Sequence, residues 1–156
     1  MELQQAIYGR RSIRDFRAEP ISREVIEELL TDAVQAPNSI NRQTWSFAVV
    51  RGRERLARYS RLALASLPLQ HVEPKMAQLV ASPGFNIFYN APMLVVVCAT
   101  VPDPMVRHDC TLAAATLMLA AHGKGLGSCW IGFAEDWLSR PEPNWVSRWA
   151  MCRSRP

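Results

Sequence analysis

Lysine is nearly absent from this chain of 156 residues: Lys75 and Lys124 stand against sixteen arginines. The net charge is +4, yet the basic residues form no long run and no aromatic series is interleaved with them. That leaves nucleic-acid binding without its usual footprint. The four cysteines, Cys98, Cys110, Cys129 and Cys152, contain no C-x-x-C pair, and no histidine stands at metal-ligand spacing. Disulfide, zinc and iron–sulfur frameworks therefore lack support. No run reaches the roughly 18 apolar residues that cross a membrane, and the N-terminus has no signal-peptide profile. The expectation is a protein of the reducing cytoplasm, with no metal, no membrane and no nucleic-acid partner.

What is present suits one globular domain: 49% of the residues are hydrophobic, enough for a single core in a chain of this length. Residues 2–8 read as a short helix with Leu3, Ala6 and Ile7 on one side. Ser22 is an expected N-cap, and Val25, Ile26, Leu29, Leu30 and Ala33 keep helical spacing until Pro37. Trp45, Phe47, Val49 and Val50 indicate a strand, and 53–67 a further helix. The proline-bearing stretch 68–89 is irregular and suits a flap beside a ligand. Residues 93–98 form an apolar run typical of a strand buried on both faces. A nearly all-apolar helix is expected over 109–122, capped by Asp109, and a third buried strand over 128–133. An all-apolar helix must be covered on every side, which in so short a chain points to a second subunit.

Three stretches carry the candidate chemistry. Arg10-Arg11-Ser12-Ile13-Arg14 gathers three guanidinium groups and a hydroxyl, donors that match a phosphate monoester in pairs; taken alone it reads more readily as a solvated basic turn. Pro37-Asn38-Ser39-Ile40-Asn41-Arg42-Gln43-Thr44 places amides and hydroxyls after a helix end, where they could read the edge of a planar heterocycle or simply build a turn. Gly125-Leu126-Gly127-Ser128-Cys129-Trp130-Ile131-Gly132 permits close backbone approach to a flat ligand. It has neither the spacing of a dinucleotide fingerprint nor the Lys-Ser/Thr pair of a P-loop. His71, His108 and His122 are expected to be structural or surface residues.

Together the three stretches, with Asn90-Ala91-Pro92 before an apolar strand, resemble the nitroreductase family of flavin enzymes, in order and over residues 2–138. Thr44 departs from the pattern, where proline is usual. The resemblance implies an α+β sandwich with a central sheet flanked by helices. It also implies FMN at the interface of a homodimer formed through the 109–122 helix, with NADH or NADPH as hydride donor. Arg10, Arg11 and Ser12 would hold the FMN phosphate and ribityl chain, and Arg14 would lie near the N1–O2 side of the ring. Pro37, Asn38, Ser39, Asn41 and Gln43 would contact the ring, partly from the opposite subunit. Ile131 and Gly132 would offer backbone near N5. No side chain is expected to act as acid or base, because the flavin carries the chemistry. The acceptor would be a nitroaromatic, a quinone or a similar electron-poor molecule.

The last residues, 139–156, fit this pattern poorly. Three of the five tryptophans fall within the last twenty positions, with no apolar periodicity around them. Back-translation in a shifted frame with GC-rich codons permits a family-like helix and strand. The expectation is therefore that the residues from about Pro143 onward are a frameshift product, with the final strand and C-terminal arm missing. The rival expectation from another class is a truncated, non-catalytic domain that dimerises without productive flavin binding.

Overall fold

A computed structural model describes residues 1–67 and 73–139. The fold is α+β, with helices dominating and two strands between them. The N-terminal helix α1 (Leu3–Gly9) opens with a capping box in which the Glu2 N–H donates to Gln5 Oε1 at 3.3 Å. In α2 (Arg23–Ala33) the Ser22 hydroxyl accepts from the Val25 amide, as expected, and Ile26, Leu29 and Ala33 are buried. A single 3₁₀ turn follows at Ser39–Asn41. Strand β1 (Trp45–Arg51) leads through Gly52, at φ 101°, into α3 (Arg53–Ala65). Only glycine takes that backbone angle at low cost, so the strand turns directly into a helix.

Helix α4 (Pro74–Val80) lies inside the stretch expected to be irregular, with Pro74 at its first turn and Glu73 accepting from the Met76 amide. Its seven residues are too few for periodicity to reveal. Strand β2 (Met93–Ala99) pairs antiparallel with β1, from Trp45 opposite Ala99 to Arg51 opposite Met93. The Gly52 amide to the Pro92 carbonyl, 3.0 Å, and the Thr100 amide to the Thr44 carbonyl, 3.0 Å, close the ladder at its two ends. Helix α5 (Pro104–Gly123) spans 20 residues and packs on α2, β2 and α1, and α6 (Glu135–Leu138) closes the described chain.

Two hydrophobic clusters hold these elements. Val50, Leu56, Tyr59, Ala63, Ile87, Phe88, Ala134 and Trp137 form the larger, between α3, β1 and α6. Ala36, Trp45 and Ala113 form the smaller, where the end of α2, β1 and α5 meet. Within the larger region, the Ser60 hydroxyl, 2% exposed, accepts from the Ile87 amide at 2.9 Å. Replacing Ser60 by alanine strands a buried N–H, so unfolding free energy should fall by about 1–3 kcal/mol. Urea denaturation should show a lower midpoint at an unchanged slope.

The structure corrects four expectations. Residues 128–133 form no strand; among the described residues their backbone pairs with another segment at the Ser12–Ser128 bridge. The glycines on either side, and a turn in which the Glu135 amide donates to the Gly132 carbonyl at 3.0 Å, divert the chain instead. The long helix starts five residues earlier than expected, at Pro104, capped by Asp103, whose side chain accepts from the Met105 amide at 2.9 Å. Asp109 is therefore not a cap but an interior helix residue. Finally, β2 is half-buried along most of its length rather than buried on both faces. The expected tail, 139–156, lies outside the described residues beyond Ser139.

One large cavity, about 1850 Å³, runs between β2 and α5 and is lined by Val95, Val97, Cys98, Cys110, Ala114 and Leu117, among others. That is well above the roughly 300–1,000 Å³ of a small-molecule site. We read it as an uncovered apolar face rather than a substrate pocket. Helix α5 shows the same exposure: Leu112 is 42% exposed, Ala115 is exposed, and Ala114, Leu117, Met118, Leu119 and Ala120 are half-buried. Burial raises the Cys98 and Cys110 thiols above the ordinary cysteine range, with Cys98 and then Asp109 adding to the effect at Cys110.

Candidate functional site

The arginine motif emerges from the end of α1 and docks on the glycine-rich stretch after α5. Two close approaches make this possible. A Cβ at Gly9 would lie 2.7 Å from His122 Nε2, so a larger residue there would push the His122 ring aside where α1 ends against the last turn of α5. A Cβ at Gly127 would lie 3.0–3.1 Å from three atoms of the Ile13 side chain. Between them, Ser12 and Ser128 form a parallel bridge, and the Ile13 amide donates to the Ser128 carbonyl at 3.0 Å. Valine at position 127 should overpack this junction and cost about 1–3 kcal/mol. Calorimetry should show the lower melting temperature, and Ile13→Ala in the same chain should restore part of it.

Arg10 Nη1 and Ser128 Oγ are buried polar atoms without a hydrogen-bond partner among the described residues, one on each side of that bridge. A buried guanidinium nitrogen without a partner is costly unless an acceptor meets it. Both atoms are donors of the kind a phosphate oxygen accepts. Ser128 was not singled out from the sequence, because a serine after a helix stop is ordinary turn chemistry. Ser12 is exposed. Arg11 is placed differently: its Nη1 donates to the Tyr8 and Arg10 carbonyls at 2.6 and 2.9 Å, closing the end of α1. The Arg14 guanidinium sits 5.8 Å from the centre of the Tyr89 ring. Tyr89 and Asn90 both adopt left-handed backbone, at φ 52° and 56°.

The amide-rich loop is the second limb. Ile40, Asn41 and Gln43 all have positive φ, 45°, 57° and 52°. For a β-branched residue such as Ile40 this is disfavoured, on the order of 1–3 kcal/mol, and such strain clusters at functional sites. Several bonds maintain it. Asn38 Oδ1 accepts from the Gln43 amide at 2.8 Å, and Gln43 Nε2 donates to Asn41 Oδ1 at 3.3 Å. The Ser39 amide donates to Asp109 Oδ1 at 3.0 Å, and Arg42 pairs with Asp103 at 2.5 Å. The Met105 amide and then Arg42 hold the Asp103 carboxyl below the usual carboxylate range. Pro37, Asn41 and Gln43 are exposed, and Asn38 and Ser39 half-buried.

The third limb is the backbone of Ile131 and Gly132. Ile131 packs against the larger core cluster while Gly132 is exposed. The arginine motif and the glycine-rich stretch are thus brought together in one chain. The amide loop is not joined to them: it is fixed at Asp109, thirteen positions before His122 on α5, about 20 Å along the helix axis. Among the described residues no group of three or more His, Cys, Asp or Glu is placed to hold a metal ion. No described helix is long and apolar enough to cross a membrane.

An α+β domain with an arginine motif docked on a glycine-rich stretch and a strained amide loop defines a class that comparison with known proteins makes specific. Residues 7–138 match the model of the nitroreductase family, and the chain belongs to that family. A relative from Methanothermobacter thermautotrophicus, assigned as an NADH dehydrogenase/NAD(P)H nitroreductase, is 31% identical over 137 residues, 85% of this chain and 61% of its own. The chain thus spans about three fifths of that relative's length. The crystal structure of a nitroreductase with bound FMN from Desulfitobacterium hafniense superposes with a TM-score of 0.72 at 28% identity, covering 91% of this chain and 81% of that one. A nitroreductase with bound FMN from Bacteroides fragilis shares the fold, with a TM-score of 0.79 at 24% identity over 100% of this chain and 81% of its own.

Proposed function

We propose that the chain is an FMN-dependent oxidoreductase of the cytoplasm that uses NADH or NADPH to reduce a nitroaromatic, a quinone or a similar electron-poor acceptor. When bound, FMN supplies two-electron chemistry at N5, alternating between nicotinamide and acceptor in a ping-pong cycle. Arg10, Ser12 and Ser128 hold the phosphate end. Arg11 closes the helix beside them and contributes positive charge. Arg14, whose guanidinium lies by the Tyr89 ring, would supply a cation that stabilises negative charge on the flavin ring. Ile131 and Gly132 present backbone near N5. None of these residues transfers a proton.

The ring contacts of Pro37, Asn38, Ser39, Asn41 and Gln43 come from the opposite subunit of a homodimer. Supporting this is the separation of the two limbs along α5, together with the incompletely covered apolar residues of that helix. The observation that carries the reading is the buried pair of unpartnered donors, Arg10 Nη1 and Ser128 Oγ.

The test is direct. Purified protein, supplied with FMN, should be yellow and should bleach under anaerobic NADH or NADPH. Protein that takes up no FMN would overturn the reading. It would favour the dimerising domain without flavin, to which the open face between β2 and α5 lends support.

A further inference from the structure

Asp109 is nearly buried on α5, 4% exposed, and no part of the flavin reading above uses it. Its Oδ1 accepts from the Ser39 amide at 3.0 Å, across 70 positions of sequence. The backbone just beyond Ser39 is left-handed at Ile40 and Asn41, and again at Gln43. Ile40 is 87% exposed, so packing of its own side chain does not hold it there. Conformations of this kind persist only where their surroundings over-determine them. Asn38 Oδ1 pinches the loop through the Gln43 amide. Among the described residues, the side-chain bonds that tie residues 39–42 to another element run to α5 and its cap. A charged acceptor makes a stronger bond to a backbone amide than a neutral one does.

We propose that Asp109 is a positioning residue: its carboxylate, carried on the rigid α5, sets the Ser39–Asn41 backbone in the shape that receives the flavin ring. Asp103 is the second tether of the same loop, through Arg42. It also caps α5, so the loop is tied to that helix at two points six residues apart. The ring-contacting part of this proposal rests on the flavin reading; the anchoring part does not.

Hydrogen exchange of the Ser39 amide in the protein without flavin, beside titration with FMN, tests both parts in Asp109→Ala and Asp109→Asn. In Asp109→Ala, exchange at Ser39 should quicken at least tenfold while α5 amides keep their protection, and the FMN dissociation constant should rise about tenfold. Asparagine still offers an oxygen to the amide and should recover most of both effects. Unchanged Ser39 exchange in Asp109→Ala, or equal loss of protection throughout α5, would overturn the proposal. Should the alanine variant not fold, Asp109→Asn and Arg42→Ala decide it. The first should leave the Ser39 amide protected with FMN affinity within about threefold, and the second should quicken exchange in the loop alone. Weakened FMN binding at an unchanged Ser39 amide would count against it. If wild-type protein takes up no FMN, the flavin reading fails, whereas the exchange comparison still decides the anchor.

Discussion

Replacing Arg10 by alanine should weaken FMN binding by about ten- to a hundredfold while leaving the flavin-free protein as stable as before, or more so. The two halves of this result have one origin. Arg10 Nη1 is buried and has no hydrogen-bond partner among the described residues. Without an anion the fold therefore leaves that buried nitrogen unpaired, and alanine removes the cost of doing so. With a phosphate present, the same group makes charge-assisted bonds of about 1.5–3 kcal/mol, and alanine forfeits them. Lysine at position 10 should recover only part of the affinity, because it restores the charge but not the planar fork. Flavin-fluorescence titration reads the affinity. Thermal melts with and without FMN read the stability, whose ligand-dependent part should shrink as the dissociation constant rises. A structural role for Arg10 would give the opposite pattern, with the flavin-free protein losing stability.

Ser128, proposed for the same site, is much harder to see in the sequence. Three arginines within five residues are conspicuous in any chain. A serine between a helix stop and an apolar run is not, until the Ser12–Ser128 bridge brings its hydroxyl beside the arginine segment. The same contrast runs through the fold. Helix α2 was legible because Ser22 and the apolar spacing from Val25 to Ala33 agree, and the structure keeps both. Strand β1 was legible from its alternation. The start of α5 was not read correctly, because apolar density rather than capping set the expected boundary. Asp103 before Pro104 is a helix-start signal in its own right: an oxygen acceptor at the cap, then a residue whose missing N–H costs nothing in the first turn.

The expected third strand failed for a related reason. Apolar residues over 129–133 suit a strand, but a strand needs a partner, and the ladder register is not a local property. The chain instead bonds at Ser128 to the arginine segment and turns at Gly132. Asp109 shows the limit most clearly. Within an apolar stretch an acidic residue reads as a boundary. Its actual role depends on a backbone amide 70 positions away, which no local pattern encodes.

Truncating Trp137 to alanine should cost about 3–5 kcal/mol, the largest stability loss expected of the substitutions considered above. Trp137 is 8% exposed in the larger core cluster, its ring centroid 5.3 Å from that of Tyr59 at an interplanar angle of 55°. Such a tilted pair adds about 0.5–1.5 kcal/mol beyond the area that it buries. Domains are usually stable by only about 5–15 kcal/mol, so about a fifth or more of the margin would be lost, with a fall in melting temperature on the order of 10 °C. Phenylalanine at position 137 keeps a ring in the cluster and should recover much of it. The consequence reaches the site, because Ile131 and Phe133 pack against the same cluster. Loosening α6 frees the backbone at Ile131 and Gly132 that is proposed to lie near N5. Trp137→Ala should therefore bind FMN more weakly even at temperatures where it remains folded, whereas Ser60→Ala, which strands the Ile87 amide, should lose stability alone. Equal FMN affinity in the folded Trp137→Ala and wild-type proteins would separate the core from the site and remove Ile131 and Gly132 from the flavin contacts.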